Sequence, residues 1–125
     1  MKKLTIYKSD GQRVEDGAEL AAGTYYAPCT AFDYEKCSQG SIEYKHDAAA
    51  VATLTVDRTN QPELAVYAAG WHQISTTLLP AISIPGGSAS GGIVDLVENN
   101  AARQRVKLLV ATGGVIELWD HHKGG

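Results

Sequence analysis

Arg105-Val106-Lys107-Leu108-Leu109-Val110-Ala111-Thr112-Gly113-Gly114-Val115-Ile116-Glu117-Leu118-Trp119 is the stretch whose reading decides the fold. Val106, Leu108 and Val110 alternate with Arg105, Lys107 and Leu109. Beyond the glycine pair, Ile116 and Leu118 alternate with Glu117 and Trp119. Successive side chains on a strand point to opposite faces, so a period of two writes one apolar face into each strand. Directly opposed residues share a face, which predicts a hairpin pairing Val110 with Ile116 and Leu108 with Leu118. Thr112-Gly113-Gly114 is then the loop, with glycine where a left-handed backbone is needed. The same register sets Lys107 across from Trp119, a cation over an indole on an exposed face.

The pattern continues upstream. Leu4 and Ile6 alternate before the turn signal Ser9-Asp10-Gly11, and Thr24 to Ala27 form a short strand stopping at Pro28. Ile42 and Tyr44 alternate with Glu43 and Lys45. Ala52, Leu54 and Val56 alternate with Val51, Thr53 and Thr55 and end at Asp57-Arg58-Thr59-Asn60. Leu64 and Val66 follow Pro62, Ile82 and Ile84 lie between Pro80 and Pro85, and Ile93 to Glu98 ends at Asn99-Asn100. That amounts to eight or nine short strands and no long segment with helical spacing. A crossover helix has room only in Val14 to Ala22 or Ala31 to Ser38. The expected class is therefore all-β, an antiparallel sandwich or barrel rather than an α/β fold.

Composition bounds the rest. The 125 residues suit one domain, and 44% hydrophobic with 20% charged residues can build a core. A net charge of -3 excludes strong electrostatic steering. The one basic run, Arg103-Gln104-Arg105-Val106-Lys107, reads as the solvated face of a strand, so no nucleic acid is expected. No apolar run long enough to span a membrane occurs, and Met1 to Lys8 lacks the apolar stretch of a secretory signal. A bridge between Cys29 and Cys37 is sterically possible, but the lack of a signal favours reduced thiols.

Little in the chain signals chemistry. Gly86-Gly87-Ser88-Ala89-Ser90-Gly91-Gly92 is followed by Ile93-Val94 where a phosphate loop needs Lys and then Ser or Thr, so it reads as a flexible connection. Of His46, His72, His121 and His122, only Asp120-His121-His122 is dense, and adjacent strand residues diverge to opposite faces. No serine sits in a nucleophile elbow, and the acids Asp33 and Glu35 have no apolar setting to shift them. No catalytic residue, metal site or cofactor is assigned. Aromatics are the remaining signal: Tyr25, Tyr26, Phe32 and Tyr34 crowd one third of the chain, and Trp119 stands near its end. Such side chains either fill the ends of a sandwich or give rigid contact area, and on the second reading these five are the candidate assembly contacts.

The second half has a further cadence: Gly70-Trp71-His72-Gln73-Ile74, Ile82-Ser83-Ile84-Pro85, the glycine loop, Ile93-Val94-Asp95-Leu96, Ala102 to Val110, then Gly113-Gly114-Val115-Ile116-Glu117-Leu118. Over residues 40 to 120 it resembles the small jelly-roll, galactose-binding-like domains among virion proteins of tailed bacteriophages. The resemblance implies a jelly-roll sandwich at 41–125 preceded by an N-terminal arm or edge strands at 1–40. It also implies a particle protein: a capsid decoration (cement) protein, or a tail or neck accessory, made in the host cytoplasm and carried in the virion. Its partners would be itself, as a homo-oligomer, and a phage capsid or tail protein. The alternative is a carbohydrate-binding jelly-roll module using exposed aromatics.

Overall fold

The computed structural model describes residues 2–29, 37–74, 81–96 and 103–124. These residues hold ten strands and no helix: β1 (Lys2–Lys3), β2 (Tyr7–Lys8), β3 (Gly23–Pro28), β4 (Cys37–His46), β5 (Val51–Thr59), β6 (His72–Gln73), β7 (Ile82–Ile84), β8 (Ser90–Leu96), β9 (Arg103–Thr112) and β10 (Ile116–Gly124). A front sheet runs β1-β10-β4-β8. A back sheet runs β2-β3-β9-β5-β6, with β7 also paired to β5, and every pairing is antiparallel. The molecule is the all-β antiparallel sandwich that the alternation predicts.

The core lies between the sheets. Ile42, Ile116 and Leu118 come from the front, and Ala27, Ala52, Leu54, Val56, Ile84, Val106, Leu108 and Val110 from the back. Leu4, Ile6 and Leu20 complete it from the N-terminal segments. The inward residues alternate along β5 and β9, and each large apolar side chain so buried contributes ~1.5–3 kcal/mol.

The predicted hairpin does not form. β9 lies in the back sheet between β3 and β5, and β10 lies in the front sheet between β1 and β4. Leu108 pairs with Tyr25 and Leu54, and Leu118 pairs with Tyr44. Both strands still turn their apolar residues into one core, because alternation is satisfied equally by pairing in a sheet or by facing across a sandwich. The turn decides between them. Gly114 exchanges both backbone hydrogen bonds with Leu20, at 2.8 and 3.0 Å. Val115 donates to Asp47 Oδ2 at 3.0 Å and accepts from the Asp47 amide at 3.1 Å. The connection is thereby tied to two other loops, and it carries the chain from one sheet to the other.

Other expectations shift with it. Leu64 and Val66 lie outside any strand, while Asp57, Arg58 and Thr59 extend β5 instead of ending it. Ser90, Gly91 and Gly92 belong to β8 and pair with β4, so only the first part of the glycine-rich stretch is a connection. Arg105 and Gln104 are buried, which corrects the solvated-face reading of the basic run. The N-terminal segment joins the fold: β1 and β2 are edge strands, but β3 is interior to the back sheet.

Candidate functional site

A sandwich has two outer faces, and in this protein they are treated differently. On the back sheet, Asp57 and Arg105 are direct register partners, and their side chains point outward. Arg105 Nε donates to Asp57 Oδ2 at 2.9 Å, with both side chains 5% exposed. Its Nη1 donates to the carbonyls of Val66 (2.5 Å) and Ala68 (2.9 Å). The guanidinium also lies against Tyr26, 4.1 Å from the ring centroid, and against Trp71 at 4.8 Å. Arg103 adds a second cation at 4.9 Å from Trp71 and donates to Leu64 O at 2.6 Å. Trp71 Nε1 closes the segment on itself through Ala65 O at 3.0 Å. The planar fork of arginine serves several acceptors while stacking on aromatics, which lysine cannot do. Residues 61–71 are thus clamped over one end of the back sheet. The other end carries an exposed large apolar residue, Leu109, between Thr24 and Thr53.

The front sheet's outer face has no such cover among the described residues. Register places Lys3, Trp119, Glu43 and Ile93 in one row across four strands. Glu117, Lys45 and Gly91 form the row on one side, and His121, Ser41 and Asp95 the row on the other. Trp119 is half-buried, held between Lys3 (5.6 Å from its ring centroid) and Lys45 (5.5 Å). Ile93 is 66% exposed, the most open large apolar side chain described. Between them lies a hollow of about 220 Å³ bordered by Ser41, Glu43, Ile93, Trp119 and His121. The face therefore combines a half-buried aromatic, an exposed apolar side chain and charges of both signs.

Charge networks fix its margins. Lys3 Nζ bridges Asp16 and Glu117, each at 2.5 Å. Hydrogen bonds to Asp16 and then Glu117 raise its pKa above the ordinary lysine value. This pair closes over a cavity of about 140 Å³ lined by Leu4, Ile6, Val14, Leu20 and Leu118, too small for most organic ligands. Asp47 is held below the usual carboxylate range by the Val115 amide first, then by those of Ala50 and Ala49. Cys29 is a free thiol, and burial, with the Asp120 carboxylate nearby, pushes its pKa up, away from nucleophilic reactivity.

The five candidate contacts separate. Trp119 stands on the open face. Tyr26 belongs to the arginine clamp. Tyr25 is in the core at 6% exposure with its hydroxyl donating to Ala21 O at 2.7 Å, so it offers no surface on an isolated protomer. Phe32 and Tyr34 lie outside the described residues. Sequence reasoning missed Ile93, Lys3, Lys45 and Glu43. The alternation around them is visible, but the row that joins them needs the strand order. No group of three or more His, Cys, Asp or Glu positioned to hold a metal ion occurs among the described residues. The chain matches no protein-family model and no curated protein.

Proposed function

We propose that the chain is a structural protein of a tailed-phage particle, a capsid decoration protein that self-associates and docks on a repeating lattice. The open front face carries this reading: Trp119 and the 66% exposed Ile93 lie in one row, beside charges of both signs, on a rigid sheet. The strand order adds support for a jelly roll. If β2 and β6 are set aside as short additions, β1-β10-β4-β8 faces β3-β9-β5-β7, and each half of the chain winds between the sheets. Lattice proteins gain affinity from many copies, so a modest contact face suffices for each.

The test is the protein content of purified virions of the phage that encodes the chain, with light scattering on the isolated protein. Stoichiometric presence in virions and concentration-dependent oligomers are the expected results. Absence from virions together with a strict monomer overturns the proposal.

A second reading, a carbohydrate-binding module, is favoured by the half-buried Trp119 beside a hollow bordered by Glu43, Ser41 and His121. An indole platform with polar groups at its rim suits a sugar ring. Quenching of Trp119 fluorescence by a glycan, lost in Trp119→Ala, is the outcome that selects it.

A further inference from the structure

We infer that β8 is the self-association edge, pairing antiparallel with β8 of a second copy about a two-fold axis centred on Ile93. The inference rests on the assembly reading above and specifies where and in what register the copies meet.

Among the described residues β8 pairs on one side only, with β4. A strand in that position presents a row of backbone donors and acceptors ready to accept another strand. Natural edges are blunted by proline, lysine, a bulge or shortness. β8 has seven residues, Ser-Gly-Gly-Ile-Val-Asp-Leu, and its pairing with β4 runs from Ser90 to Leu96 without a register shift. Its one charge is Asp95, and Ile93 is its most exposed apolar side chain among those described. An open depression of about 500 Å³ lies along β8 and its neighbour β4, lined by Tyr44, His46, Ser90, Gly91, Gly92 and Ile93.

A second copy of the chain is the occupant that the residues fit. A two-fold axis perpendicular to a sheet pairs residues of the same face, so the numbers of partners must sum to an even value. Centring on Val94 sets Ile93 against the second copy's Asp95, an apolar side chain against a charge. Centring on Gly92 leaves Ile93 opposite Gly91, with no side chain to cover it. Centring on Ile93 buries Ile93 against its own counterpart and sets Asp95 opposite Gly91 of the second copy. The place of a Gly91 side chain is bordered by Lys45: a Cβ there would lie 3.2 Å from Lys45 Cγ. Each Asp95 would thus lie across a glycine from the Lys45 stem and opposite no like charge. On the inner face Val94 would lie opposite Gly92, where a Cβ would come within 2.8 Å of Tyr44 Oη, so Val94 packs beside that ring. The contact is isologous and closes as a dimer.

A seven-residue ladder is small beside the ~1,200–2,000 Å² buried in stable interfaces, so the dimer should be weak and concentration-dependent alone. Sedimentation velocity of the full chain over the micromolar range reads this directly. Ile93→Lys replaces a side chain that the fold does not bury, and it should weaken dimerisation at least tenfold with an unchanged circular dichroism spectrum and thermal midpoint. Ile93→Cys should give a covalent dimer on mild oxidation, and Asp95→Cys should not, because Asp95 faces Gly91. Oligomers that persist undiminished in Ile93→Lys, or a covalent dimer with Asp95→Cys but not Ile93→Cys, overturn the edge inference while the assembly reading stands. A wild-type chain that stays monomeric into the high micromolar range and is absent from virions overturns both.

Discussion

Arg105 shows how one side chain can organise a segment that has no strand of its own. Its guanidinium balances Asp57, serves two carbonyls of the 61–71 segment, and lies against Tyr26 and Trp71. Arg105→Met leaves the Asp57 carboxylate buried without its partner, a change that typically costs ~3–5 kcal/mol. Arg105→Lys keeps the charge but offers neither fork nor plane, so it should recover only part of that loss. Urea unfolding monitored by tryptophan fluorescence checks both, and Trp71 emission should shift to the red before the global transition as the clamp releases. Asp47 gives a second outcome at this scale. Its folded pKa is depressed, so its contribution is complete above the ordinary aspartate value and is lost as pH falls through the lowered one. The native thermal midpoint should therefore drop below pH 4, and Asp47→Asn, starting lower at neutral pH, should fall less steeply on acidification. Equal acid slopes for the two proteins would count against the Val115, Ala50 and Ala49 amides as the cause.

At the scale of elements, the longer strands were legible and their neighbours were not, while Leu64 and Val66 read as a strand that does not form and β6 went unread. Alternation marks β5, β9 and β10 with their inward residues named correctly, because face depends only on local period. Pairing depends on where the turn takes the chain. Thr112-Gly113-Gly114 looks like hairpin chemistry, yet the Gly114 backbone is committed to Leu20 and that of Val115 to Asp47. These partners lie more than sixty residues away in sequence, beyond the reach of any local pattern. The same limit hid the site: Trp119 could be named as an exposed aromatic, but its lysine neighbours are Lys3 and Lys45 on adjacent strands, not Lys107. Arg105 was misread because the 61–71 segment, where Leu64 and Val66 read as a strand, instead folds over the sheet as a strandless cover. The observed crossing makes its own prediction. A Cβ at Gly114 would come within 2.5 Å of Asp47 Oδ1 and 2.6 Å of the Ala50 amide nitrogen. Gly114→Ala should cost ~1–3 kcal/mol as the loops are forced apart, in the range of overpacked sites. In a double-mutant cycle it should couple to Asp47→Asn, which a free hairpin loop would not do.

For the whole molecule, the open question at the N-terminus is whether it is an arm for a neighbour or part of the domain. An arm contributes to assembly and little to the fold. The first eight residues behave otherwise: β1 extends the front sheet at β10, Leu4 donates its amide to Leu118 O at 2.8 Å, and β2 pairs with β3 at the back. The segment thus crosses from one sheet to the other, with Leu4 and Ile6 in the core it crosses. Removing one such buried side chain typically costs ~2–5 kcal/mol, against a total stability of ~5–15 kcal/mol for a domain. Deleting residues 1–8 should therefore lower the thermal midpoint sharply or prevent folding. Leu4→Ala should lower it in proportion while leaving dimerisation through β8 intact at temperatures where the fold persists. Since β8 lies at the opposite edge of the front sheet from β1, the two effects are separable. A truncated chain with an unchanged melting curve but no oligomers would make the first eight residues an arm after all. Loss of stability with dimers retained below the midpoint makes them the strap that joins the two sheets, and leaves assembly to the far edge.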